Sequence, residues 1–181
     1  PHRAPCELPP GFTLAPAAPA DDAALRELIV ACLDEYGLAI PGTAAFDPEL
    51  AALSAHFAAM PNARLYVVRE AATGALAGCA GFEPLKGHPP EAGVCEMVKF
   101  YFAPPYRRLG LGTALLRLCL AEATACGYRH AYMETFRAMR SAQLFAKFGF
   151  RELPEKWGRN GHPAVEVFMA LDLARAREAA V

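Results

Sequence analysis

Residues 107–112 read RRLGLG, two arginines and two glycines between a strand and a helix. That combination suits an anion. The glycines let the backbone come close to a ligand, the first amides of a helix lack intrahelical acceptors, and the positive end of the helix dipole points the same way. Glu96 opens the strand that leads into this turn and is the only carboxylate in an otherwise apolar run. Desolvation there would raise its pKa toward the range in which a carboxylate exchanges protons near neutrality. The same residue reads as an exposed strand-end Glu or as a partner for Lys99, and the residues alone leave these readings open.

The elements that must position these groups follow from the surrounding pattern. Residues 96–102 (EMVKFYF) predict a strand, stopped by Pro104 and Pro105, which cannot donate to a ladder. Residues 113–125 predict a helix, because Leu111, Leu115, Leu118 and Cys119 repeat at helical spacing with no breaker before Gly127. A phosphate loop of the nucleotide hydrolases needs Lys and then Ser or Thr after its last glycine, whereas Thr113 and Ala114 follow Gly112. A dinucleotide fingerprint needs a small residue where Leu115 stands. What remains is Arg107-x-x-Gly110-x-Gly112.

With 181 residues, 54% of them hydrophobic, and a formal charge of −1, the chain suits one domain with a substantial core. No basic excess recommends a nucleic acid, and no charged face recommends a membrane surface. The six cysteines (Cys6, Cys32, Cys79, Cys95, Cys119, Cys126) lack C-x-x-C spacing and mostly fall in apolar periodic segments, so buried reduced thiols are expected. No grouping of Cys, His, Asp and Glu has metal-ligand spacing, so no metal is expected. No apolar run is long enough for a bilayer, and the start lacks the charged-then-apolar order of a signal peptide. The expected location is cytoplasmic.

Taken in order, residues 1–11 hold four prolines and predict a flexible N-terminal arm. A short strand at 12–15 precedes a helix capped by Asp21 and running to about Tyr36, with Leu25, Leu28, Ile29, Cys32 and Leu33 as its buried stripe. Asp47 and Pro48 open a second helix that continues to residue 59. Strands at 65–69 and 75–83 form a hairpin through Gly74. After the central unit come a strand at 130–136 and a helix at 141–148 stopped by Gly149. Strands at 150–153 and 165–173, joined by a loop, and a charged tail at 174–181 complete the chain.

Arg107-x-x-Gly110-x-Gly112, set between such a strand and a Leu-rich helix, resembles the GNAT superfamily of acyl-CoA-dependent N-acetyltransferases. So do the element order across residues 12–173 and Met133-Glu134-Thr135 at a strand end. The run Leu144-Phe145-Ala146-Lys147-Phe148-Gly149-Phe150 is similar to the family's A-x-x-L-Y-x-x-x-G-F helix ending. The resemblance implies an α/β, GNAT-fold domain: a single mixed sheet of about seven strands, splayed at its centre, with helices on both faces. It implies transfer of the acetyl group of acetyl-CoA to a primary amine of a small molecule or peptide, by direct attack in a ternary complex. Amides of Arg108, Leu109, Gly110, Leu111, Gly112 and Thr113 would take the coenzyme A pyrophosphate, and Phe100, Tyr101 and Phe102 would hold the pantetheine arm through their backbone. Arg107 would add charge, and Phe145 would sit in the same site. Glu96 falls where many members carry the general base. A homodimer is the default for such a chain.

Two positions depart from the family pattern. Glycine often follows the leading arginine, so Arg108 requires that position to do without a positive φ. Phe145 stands where a Tyr usually protonates the coenzyme A sulfur. Either Tyr101, Tyr106 or Tyr132 serves instead, or the thiolate leaves and is protonated by water, or the domain binds acyl-CoA without turnover in a regulatory role. Candidates for the acceptor side are Glu35, Tyr36, Glu134, Arg137 and His162, polar residues at element ends or in loops. Trp157 is expected as a packing anchor.

Overall fold

The computed structural model describes residues 7–174. Cys6, the first part of the expected arm and the tail beyond residue 174 lie outside the described residues. Strand β2 (Arg64–Glu70) explains the layering by itself. It sends Leu65 and Val67 to one face and Tyr66 and Val68 to the other, all buried, so the sheet must be covered on both sides. Helices α1 (Asp22–Asp34) and α2 (Leu53–Ala58) cover the first face with Leu25, Ile29, Leu33, Leu53 and Phe57. Helices α3 (Leu111–Ala125) and α4 (Ser141–Lys147) cover the second with Leu111, Leu115, Cys119 and Phe145.

The remaining strands are β1 (Phe12–Pro16), β3 (Leu76–Pro84), β4 (Val94–Phe102), β5 (His130–Thr135), β6 (Arg151–Glu152) and β7 (Val167–Asp172). They form one seven-stranded sheet in the order β1-β2-β3-β4-β5-β7-β6. Every neighbouring pair is antiparallel except β4 and β5, which run parallel at the centre.

That parallel pairing is short. Val94, Cys95 and Glu96 pair with His130, Ala131 and Tyr132, and beyond Glu96 the two strands part. The parting coincides with a bulge in β4. Its register against β3 passes from Cys79↔Tyr101 to Gly81↔Val98, and Lys99 takes a φ of 58°. Such a left-handed backbone costs a non-glycine residue on the order of 1–2 kcal/mol and needs support. Part of that support is the buried Cys79 thiol, which donates to the Lys99 carbonyl at 3.0 Å. The cysteines in the described residues are free, and all but the half-buried Cys126 are buried.

Several local expectations are corrected. Asp21 does not cap α1 with its side chain. Its carboxylate accepts from the Ala18 amide at 2.8 Å and pairs with Arg69 on β2. The expected helix over 48–59 is a 3-10 turn, Pro48–Ala51, followed by α2, with Ala52 at φ −155° and ψ 62° between them. Asp47 makes no cap hydrogen bond because its carboxylate is drawn to Lys99 and His162. Arg108 has a φ of 63°, so the position keeps the left-handed backbone that glycine would have supplied freely.

Candidate active site

The turn after β4 is held from beneath. Arg107 donates from Nε to the Phe102 carbonyl at 2.7 Å and grips Glu35 at the end of α1 with both terminal nitrogens, each at 2.7 Å. Such a two-pronged contact fixes geometry as well as charge, and it holds the Glu35 carboxyl below the usual range. Arg107 therefore serves as a brace, and Glu35 belongs to that brace rather than to an acceptor pocket. Gly110 caps α3 at φ 88°. At Gly112 a Cβ would stand 3.2 Å from the end of the Leu144 side chain on α4, which would have to give by a few tenths of an ångström, and 3.5 Å from Phe102, an ordinary contact.

Among the described residues, the backbone amides of Arg108, Leu109, Gly110, Leu111, Gly112 and Thr113 donate to no protein acceptor. Five of these six donor residues, Arg108 and Gly110 to Thr113, line a cavity of 580 Å³ at the head of a fifteen-residue helix. Its lining includes every residue expected to hold coenzyme A except Leu109, whose side chain is 48% exposed outside it. Tyr36 and Tyr106 line it as well, and the Tyr106 hydroxyl lies 3.4 Å from Glu70.

A second cavity, of 80 Å³, continues into the cleft where β4 and β5 part. Glu96, Glu134 and His162 line it, among Met97, Met133 and Phe136. Glu96 is 4% exposed, and the Asn160 amide donates to it at 2.8 Å. Burial, reinforced by the charge of Glu134, pushes its pKa up to about 7, against the Asn160 hydrogen bond and the nearby His162. The residue is neither solvated nor paired with Lys99. Lys99 Nζ instead meets Asp47 Oδ2 at 2.5 Å, and His162 Nε2 meets Asp47 Oδ1 at 2.7 Å. Burial alone would raise the Asp47 pKa, but the hydrogen bond to His162 and the charge of Lys99 outweigh it and hold Asp47 at about 2.

Other expected residues fall elsewhere. Glu134 faces the cleft but is bound to Lys156 at 3.0 Å and to the Tyr132 hydroxyl at 2.8 Å. Arg137 lines neither cavity and pairs with Glu152 at 2.9 Å on the surface. Tyr132 is fully buried, stacked on Trp157 at 5.8 Å, and reaches neither cavity, which removes it as a proton donor and leaves Trp157 as a packing anchor. Asp47, Asn160, Thr135 and Ser141 escaped the sequence reading as site residues. Asp47 carried a helix-start signal, and no short-range pattern joins a residue at 160 to one at 96. The fold also gathers Glu49, His56 and Glu83, a potential ligand set that no spacing reveals, with ligand atoms within 4.8 Å of one another. The Lys86 ammonium already stands 3.1 Å from Glu49 and 3.5 Å from Glu83.

Comparison with known proteins agrees with this geometry. Residues 25–150 match the Acetyltransferase (GNAT) family. A protein of Escherichia coli K12, "Uncharacterized N-acetyltransferase YjgM", is 32% identical over 155 residues, covering 84% of this chain and 90% of its own. A GNAT-family acetyltransferase from Staphylococcus aureus Mu50 superposes with a TM-score of 0.77 at 17% identity, over 90% of this chain and 99% of that one. The Salmonella typhimurium protein yncA, whose structure was solved with its cofactor acetyl-CoA, superposes with a TM-score of 0.68 at 24% identity, over 90% and 94%. The chain belongs to the GNAT family of acetyltransferases.

Proposed function

We propose that this protein transfers the acetyl group of acetyl-CoA to a primary amine of a small molecule or peptide, by direct attack in a ternary complex. One observation carries the reading: Arg108 and Gly110 to Thr113, whose amides are unspent, line a cavity that runs into the cleft holding a buried carboxyl of pKa about 7. Those donors fit a diphosphate, since amides at a helix start bind anions without competing intrahelical bonds. Bound there, acetyl-CoA supplies the activated acetyl group.

The chain's own groups then divide the work. The loop amides and the exposed Arg108 hold the anionic end. Past Glu96, β4 has no partner strand on the β5 side, so its backbone groups can pair with an extended arm and supply a donor to the oxyanion. Glu96, half ionised near neutral pH, takes the proton that the amine nitrogen sheds as it attacks. Met97, Met133, Met139 and Phe136 give the cleft an apolar lining. Placing the amine and the thioester in adjoining cavities replaces a chance encounter with a positioned one.

Release of free thiol from acetyl-CoA, measured against a panel of amines, tests the reading. Coenzyme A should also raise the melting temperature, because a native-state ligand stabilises by mass action. Tight binding with no thiol release above background would favour a non-catalytic acyl-CoA-binding domain. No binding at all would remove both.

A further inference from the structure

The two cavities share five lining residues: Phe100, Tyr101, Met139, Ser141 and Phe145. On the proposed function, on which this inference rests, the scissile thioester lies at that junction. Phe145 is 1% exposed and packs edge-on against Phe100 and Phe150, with ring centroids 5.1 and 4.9 Å away, and it has no proton to offer. Only two of the five side chains bear a hydroxyl. Burial pushes the Tyr101 phenol far above its usual range, and its ring packs against the apolar cluster under α1. Ser141 is different. It stands at the start of α4, four residues before Phe145, so the two side chains project from the same face one turn apart. Its Oγ lies 2.5 Å from Oγ1 of Thr135, a residue 5% exposed at the end of β5. Either hydroxyl can donate in this pair, and in the arrangement with Thr135 donating to Ser141 the serine hydrogen is left for the junction.

We infer that Ser141, oriented by Thr135, is the hydrogen-bond donor to the departing sulfur, in place of the aromatic hydroxyl that position 145 lacks. As the amine nitrogen forms its bond to the acetyl carbon, the Glu96 carboxylate takes the N–H proton. The C–S bond breaks with its electron pair going to sulfur. The Ser141 hydroxyl donates a hydrogen bond to that thiolate, which takes its proton from water on release. An alkyl hydroxyl is too weak an acid to surrender its proton to a thiolate, whose conjugate acid has a pKa of about 8.5 in cysteine, so Ser141 stabilises the anion without neutralising it.

A readout independent of turnover tests this. Titration of the coenzyme A thiol in its binary complex with the protein, followed by thiolate absorbance, should move upward by about one pH unit in Ser141→Ala, the tenfold loss expected for one hydrogen bond to a charged group. Thr135→Val should move it the same way by less, and Ser141→Thr, which keeps the hydroxyl, should restore it. In turnover, Ser141→Ala should lower kcat on the order of tenfold while KM for acetyl-CoA stays within about twofold. Unchanged melting temperatures identify the variants as folded. Coenzyme A that binds and titrates identically in wild type and Ser141→Ala overturns the role of Ser141 alone. Failure of the wild-type protein to bind coenzyme A overturns the acetyl-transfer reading, and this inference with it.

Discussion

The two ends of the central cleft are built from different materials. The large cavity is lined along one short stretch by residues with unspent main-chain donors, Arg108 and Gly110 to Thr113, with Arg107 and Glu35 as a brace. The small cavity is walled by side chains from β4, β5, the residues around Asp47 and the loop carrying Asn160 and His162. A backbone site tolerates almost any side chain provided the turn closes. A side-chain site is lost when one of several distant contributors is replaced. The first kind suits a ligand common to many reactions, and the second suits an acceptor that differs between them.

The largest expected effect breaks the backbone side. Gly112→Val adds a branched side chain where a Cβ alone already stands 3.2 Å from Leu144 and 3.5 Å from Phe102, and it should abolish the melting shift expected from coenzyme A. A variant that kept the full shift would show that Leu144 and the turn accommodate the added side chain without loss of the site. Next comes the side-chain side. Glu96→Gln should lower kcat by about 100-fold or more while leaving the coenzyme A melting shift intact, which separates the two cavities by function. The wild-type rate should rise with pH through about 7 as Glu96 loses its proton, and that rise should vanish in the variant.

The same substitution changes stability with a definite sign. The folded-state pKa of Glu96 is raised from the ordinary glutamate value of 4.5 to about 7. Its contribution is therefore most favourable below 4.5 and is lost as pH rises through 7. Glu96→Gln should accordingly gain stability relative to wild type at pH 8, by a few kcal/mol at most, and show no such gain at pH 4. Denaturant unfolding at the two pH values checks this.

Asp47→Ala leaves the Lys99 ammonium, whose side chain is 7% exposed, without its carboxylate. It should cost about 3 kcal/mol, since removing one partner of a buried ion pair strands the other. A loss below 1 kcal/mol would mean that water reaches Lys99 readily. The smallest effect belongs to the backbone side again. Arg108→Gly relieves a left-handed φ at the expense of a more flexible unfolded chain, and it should raise stability by no more than about 1 kcal/mol. The gain should appear in the melting temperature, and affinity for coenzyme A should fall with the lost charge.

What the sequence determined by itself was local and periodic. The glycine turn, the helix it opens, the strand before it and the hairpin strands around Gly74 depend on residues within a few positions of one another. The lone carboxylate at Glu96 was legible for the same reason. Only the tertiary structure decided that Asp47 abandons a cap for Lys99 and His162, that Asn160 reaches Glu96, and that Ser141 meets Thr135. It also decided that Arg108 keeps a positive φ although it is not glycine. Contacts between residues far apart in the chain are selected by desolvation and packing after the sheet has formed, and no short-range spacing encodes them.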